Sequence, residues 1–132
     1  MLSPLSAADA VRALLAIPFL VMGLSHTLQP AMWREYFDRL HAQGAPAVVT
    51  RTFTLELWPA LLLVVFHRDW TWPGVILTVY GHLLLGKIVL SLLAPAFGLH
   101  SLALARHGDA SFRWGGLVLM ALGVLCTALT WR

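Results

Sequence analysis

An all-α fold, an integral membrane four-helix bundle with a short interfacial amphipathic helix between spans 1 and 2, is what this sequence predicts, as a single transmembrane domain over residues 1–132. Three observations predict it. Apolar residues make up 59% of the chain and charged ones only 11%, against about 45–50% and 25% in soluble domains. The apolar residues gather into four stretches, approximately 8–28, 46–66, 74–94 and 112–131, each close to the roughly 20 residues that a helix needs to cross hydrocarbon. Five of the six tryptophans, Trp33, Trp70, Trp72, Trp114 and Trp131, fall at the ends of these stretches, where an aromatic belt places them.

Each element carries its own local signals. Span 1 opens on Ser6 and Asp9, a capping arrangement, and closes at Pro30, with Pro18 inside expected to bend it. A basic Arg12 before the apolar run Ala13 to Leu24 suggests a signal peptide, but Ser25-His26-Thr27-Leu28 follows instead of a small-x-small cleavage pattern, so the segment is expected to stay as a span. From Pro30 to Gly44, Trp33, Tyr36, Phe37 and Leu40 recur at i, i+3, i+4 and i+7 while Arg34, Glu35, Asp38 and Arg39 take the other side. That is an amphipathic helix with a favourable Glu35–Arg39 pair, expected to lie in the interface plane. Span 2 contains Arg51, Glu56 and Pro59. Span 3 is framed by Pro73 and Pro95, and Ala96 to His107 forms a weaker interfacial helix stopped by Gly108. In span 4, Gly116, Gly123, Thr127 and Thr130 form a small-residue packing seam.

Composition also excludes several chemistries. The net charge of +3 comes from arginines dispersed at segment ends, so no nucleic-acid partner is expected. Cys126 is the sole cysteine, which removes an intrachain disulfide and a dithiol relay. The histidines lack the i,i+3 or i,i+4 spacing of a helical metal pair, and no phosphate loop, nucleophile elbow or dinucleotide fingerprint occurs, so no metal and no cofactor is implied. Arg34, Arg39, Arg51, Arg106 and Arg113 on one side outnumber Arg12, Arg68 and Arg132 on the other, which by the positive-inside rule places both termini outside the cytoplasm.

The informative residues are ionisable groups at depth, each costing roughly 2.5–3.5 kcal/mol in hydrocarbon unless it meets a partner or a cavity. At 100° per residue, Arg12, Ala16, Phe19, Gly23 and His26 share one face of span 1, and Thr52, Glu56, Leu63 and His67 share one of span 2. Span 3 has Tyr80, Lys87 and Ser91 on one face, Thr78 and His82 nearly opposite. Helical rise puts Glu56 about 1–2 Å and Lys87 about 4–5 Å from the midplane on the same side, so an ion pair is open to them. If it forms, Glu56→Gln and Lys87→Met are expected to be similarly harmful. His26 and Arg51 lie on that side too, and the four are expected to form one polar cavity opening beside the amphipathic helix. His82 lies slightly across the midplane, and Arg12 is expected to snorkel to the opposite surface.

The opening, Arg12-Ala-Leu-Leu with Phe19-Leu-Val-Met-Gly23-Leu and His26 to Pro30, resembles the first helix of DoxX-like membrane proteins. Leu77-Thr-Val-Tyr-Gly81-His-Leu-Leu-Leu-Gly-Lys87 ending at Pro95 is similar to the third segment of small bacterial four-span proteins of unassigned activity. The resemblance implies a bacterial inner membrane and, as in some DoxX-like proteins, quinone-coupled oxidation of thiosulfate. No catalytic residue of that family maps onto this chain.

The first functional reading is a non-enzymatic structural or accessory subunit, embedded in the lipid bilayer and joined to a membrane partner protein or to further copies of itself. The second is an oligomeric proton- or cation-coupled transporter in which Glu56 accepts the proton or cation, Lys87 tunes it and His82 relays. The third is a quinone-linked redox subunit with His26 and Tyr36 near the headgroup, the one reading that brings a cofactor. The candidate polar-core residues are thus Glu56, Lys87, His82, His26, Arg51 and Tyr36.

Overall fold

The computed structural model describes residues 4 to 105 and 108 to 132. The first helix, α1 (Ala7–Leu28), starts where Ser6 Oγ accepts from the Asp9 amide at 3.1 Å. It ends where the Gln29 amide donates to the Ser25 carbonyl, and Pro30, which has no amide hydrogen to lose, opens α2 (Pro30–Ala42). Gly44, at φ 71°, turns the chain into α3 (Ala45–Arg51), a conformation that side chains with a Cβ rarely adopt. A π-helical turn over Thr52–Glu56 joins α3 to α4 (Leu57–Phe66) as one continuous rod. After a loop come α5 (Val75–Leu93), α6 (Pro95–Ala105) and α7 (Asp109–Thr130). Among the described residues there is no strand.

Four helical segments are long and apolar enough to cross a membrane: Ala7–Leu28, Ala45–Phe66, Val75–Leu93 and Asp109–Thr130. They agree with the stretches read from the sequence to within a few residues, the last starting three residues early at Asp109. Between them α2 and α6 cap one end of the bundle, where Phe37 and Leu40 of α2 join Ala47, Leu102 and Phe112 in a small core. Of the apolar face expected for α2, Phe37 and Leu40 are buried, Trp33 is half-buried and Tyr36 lies at the exposed margin. The weaker helix expected before Gly108 is α6, and its predicted end at His107 lies outside the described residues.

The main core runs along α1 and α7, with Val11, Leu15, Phe19, Leu122, Cys126 and Leu129 packed against Leu63 and Leu77. Glycine sets the approach of these two helices. A Cβ on Gly23 would lie 2.6 Å from the Gly116 carbonyl, and one on Gly116 would lie 2.5 Å from the Gly23 carbonyl, so the backbones touch there. Gly123 seats against Leu20 in the same way. The seam expected on α7 is thus built by its glycines; Thr127 is exposed and donates instead to the Gly123 carbonyl at 3.0 Å.

Candidate functional site

A cavity of about 600 Å³ lies between α1, the π-helical turn, α4 and α5, reached from α7 by Leu119 alone. Its walls are chiefly apolar, with Phe19, Met22, Leu83 and Leu84 prominent, and its ionisable groups are His26, Glu56, Tyr80 and Lys87. Two prolines stand on its wall. Pro18 and Pro59 both line it, and each removes one backbone donor from its helix and pushes its ring against the preceding turn. In α4 the consequence is visible in the register: the Leu57 amide donates to the Thr52 carbonyl, a π-type bond, just ahead of Pro59. The Trp58 indole donates to the Thr54 carbonyl at 3.3 Å, in the stretch where Pro59 cannot.

The widened turn changes which side chains meet. At α-helical spacing Arg51 and Glu56 would point about 140° apart, but i→i+5 bonding brings residues five apart onto one side. Arg51 Nε accordingly lies 3.7 Å from Glu56 Oε2, forming an ion pair. Lys87 Nζ donates to the other carboxylate oxygen, Oε1. Glu56 is therefore held between two cations from two elements. Arg51 Nη1 also donates to Ser101 Oγ at 2.8 Å, tying the buried guanidinium to α6. Its Nε and Nη2, together with Glu56 Oε2, Thr52 Oγ1 and Ser91 Oγ, are buried without a hydrogen-bond partner.

The structure thus brings Glu56, Lys87 and His26 to one cavity, and separates the other candidates from it. Arg51 stands behind Glu56, away from the cavity wall, because the π-turn carries it inward. No α2 residue lines this cavity; α2 meets it only through His26, which stacks on Trp33, and Leu55, which also lines the hollow beneath α2. Tyr36 lines a separate hollow of about 220 Å³ with Met32, Trp33 and Leu55. His82 is on the exposed face of α5, where its Nδ1–H donates to the Thr78 carbonyl at 2.8 Å and its ring meets Trp70. His26 donates from Nδ1 to the Met22 carbonyl at 2.7 Å, which leaves Nε2 as the acceptor nitrogen, and its ring stacks on Trp33 at 4.1 Å. Tyr80, outside the six candidates, also lines the cavity, and its i,i+7 spacing from Lys87 on one helix face is the sequence signal for it.

A second polar cluster, absent from the expected site, sits at the other end of the bundle. Arg12, 12% exposed at its side chain, is held by protein partners there. It pairs with Asp9, one turn away, and its Nη1 reaches His67 Nδ1 at 3.3 Å. His67 is fully buried, and its Nε2 lies 3.0 Å from the Gly74 carbonyl. A carbonyl only accepts, so Nε2 carries the hydrogen and Nδ1 receives the guanidinium. In the adjoining loop, the Thr71 hydroxyl and amide both donate to Asp69 and hold its carboxyl below the ordinary value of 3.8.

Among the described residues no group of three or more His, Cys, Asp or Glu is placed to hold a metal ion. Comparison with known proteins finds no matching family model, no matching curated protein and no matching solved structure.

Proposed function

We propose that this chain is an integral membrane protein of the bacterial inner membrane that binds a lipophilic small molecule inside its helix bundle. Support for the membrane setting is the outward surface: only 28–33% of each candidate span is buried within the chain, and residues such as Ile17, Leu83 and Leu93 are 69%, 70% and 79% exposed. Such a surface is stable in hydrocarbon and costly in water. In this setting α2 lies at the bilayer interface, its Arg34, Glu35 and Arg39 toward water. The observation that carries the binding reading is the cavity itself, whose volume of about 600 Å³ falls within the range that holds drug-sized ligands. A purely structural or accessory role accounts for the Glu56–Lys87 pair as a device of helix register, but it gives no reason for an open cavity beside that pair.

The test is organic extraction of the mildly purified protein followed by mass spectrometry, comparing wild type with a folded Leu84→Trp variant that fills the cavity. A lipophile retained by wild type and lost from the variant is the expected result. Equal content in both would overturn the reading. Recovery of a quinone in that extract would select the DoxX-like redox reading, with His26 rather than Tyr36 at the headgroup.

One observation favours a second reading, proton- or cation-coupled transport. Pro18 of the continuous helix α1 and Pro59, just after the π-helical turn, lie on the same cavity as Glu56, an ionisable group at that irregular turn. Proton flux into liposomes under a pH gradient, abolished by Glu56→Gln, would support it, and an unchanged flux in the variant would remove Glu56 as the carrier.

A further inference from the structure

We infer that the cavity selects a single-chain lipophilic anion, of the fatty-carboxylate class, with its headgroup on Lys87; this rests on the binding reading above. Charge is the first argument. Glu56 is the one carboxylate among the described residues within 4.0 Å of either Lys87 or Arg51, so two cationic side chains share one anionic partner. Among the described residues Arg51 has no second acid to turn to: its side-chain hydrogen bond goes to the neutral Ser101 hydroxyl, and its side chain is 3% exposed. One positive charge is therefore in excess in apolar surroundings, where an uncompensated charge is expensive. A monoanion entering the cavity balances the cluster, whereas a cation worsens it and a neutral headgroup leaves it as it was.

Access is the second argument. Of the two cations only Lys87 lines the cavity, and at 38% side-chain exposure it is reachable there. An ammonium has three donors, and Glu56 takes one. His26 does not compete for the headgroup, because its Nδ1–H is committed to the Met22 carbonyl and its other nitrogen presents a lone pair. Shape is the third. The lining residues run from Pro18 to His26 along α1 and from Tyr80 to Lys87 along α5, spans of about 12 Å and 10 Å by helical rise. That is an elongated slot with its charge near one end, and Phe19, Leu83, Leu84 and Leu119 offer apolar wall to a chain.

Trp58 lines the cavity and supplies the readout. The protein is reconstituted in phosphatidylcholine nanodiscs at neutral pH and titrated with bromododecanoate, bromododecanol and bromododecylammonium. The quenching attributable to the cavity is the difference between wild type and Trp58→Phe. Bromododecanoate is expected to bind at least about tenfold tighter than the alcohol, with the ammonium weakest. Lys87→Gln is expected to abolish the preference for the carboxylate and Lys87→Arg to keep it. The ranking of the three probes on wild type needs no variant and decides the matter even where Lys87→Gln fails to fold. Equal binding of acid and alcohol, or tighter binding of the ammonium, would overturn the anion assignment while leaving the cavity reading intact; no quenching by any probe would sink both. Displacement of bromododecanoate by phosphatidylglycerol added to the nanodisc would overturn the single-chain assignment in favour of a lipid headgroup.

Discussion

Removing Glu56 and removing Lys87 are expected to have unequal effects, although depth along the helices alone makes them equal partners. Glu56→Gln leaves Arg51, 3% exposed, without an anionic partner among the described residues. Breaking a buried pair in this way costs about 3–5 kcal/mol, and about 3 kcal/mol is expected here because Ser101 still holds one guanidinium nitrogen. Lys87→Met leaves Glu56 beside Arg51, and the lost partner was 38% exposed, so about 1 kcal/mol is expected. The double variant Glu56→Gln/Lys87→Met should cost little more than Glu56→Gln alone, since the lysine has nothing left to lose. Arg51→Met added to Glu56→Gln should restore about 1–2 kcal/mol by removing the stranded charge. The assay is reversible unfolding of the detergent-solubilised protein by a denaturing detergent, followed by tryptophan fluorescence. A Lys87→Met cost equal to that of Glu56→Gln, or strict additivity in the double variant, would refute the three-residue arrangement.

Glycine substitutions give a sharper geometric check: Gly23→Ala and Gly116→Ala should each cost about 1–3 kcal/mol by overpacking the α1–α7 contact, whereas Gly115→Ala, with open space around it, should not destabilise. His67→Ala should cost about 2–4 kcal/mol, since it opens a cavity in the core and strips both the Arg12 and the Gly74 partners; thermal unfolding reads it. Because Asp69 has its folded-state value lowered below 3.8, it stabilises the fold above that pH and loses this contribution as pH falls through the folded value. An acid titration of Asp69→Asn should accordingly show a flatter stability decline below about pH 4 than wild type. Finally, Cys126 is fully buried and should resist maleimide in the folded protein, so that single cysteines at Gln43 and Trp72 can be labelled selectively. They should react from opposite faces of intact membrane vesicles, and labelling of both from one face would refute the four-span arrangement.

The fold was legible because its signals are local and redundant. Four apolar stretches bounded by proline, glycine and tryptophan admit few other arrangements, and the i, i+3, i+4, i+7 pattern of α2 identified its buried side without reference to the rest of the chain. Glu56 and Lys87 stand at one level for the same reason: rise per residue is nearly constant. Lateral position is different. Whether His82 faces inward depends on how α5 rotates against its neighbours, and Gly81, which meets Leu63 of α4, turns the next residue outward. Tyr36 and His26 were read as neighbours at one interface, but Trp33 lies between their environments, stacking on the histidine and lining the smaller hollow with the tyrosine. Arg12 and His67 were each on a face turned into the bundle, yet their meeting depends on α1 and α4 being adjacent at that end, which no periodicity states.

The π-turn was the least legible feature, and it decides the site. A proline within a helix announces that one hydrogen bond is lost, but not whether the chain kinks, tightens or widens. Here it widens. That choice rotates Arg51 inward behind Glu56 and makes a carboxylate with one nominal partner into one with two. Prolines of two helices, Pro18 and Pro59, stand on the cavity wall. On its α7 side, α1 is drawn in by Gly23, Gly116 and Gly123 until the backbones touch. On its other side α1 borders the cavity with Pro18, Phe19, Met22 and His26, and α4 borders it with Trp58 and Pro59. Close packing on one face of α1 and poor packing on the other leave a gap, and the charged cluster stands on its wall. Substituting Pro59 by alanine therefore tests more than a kink: restoring the α-helical register should part Arg51 from Glu56 and narrow the cavity together.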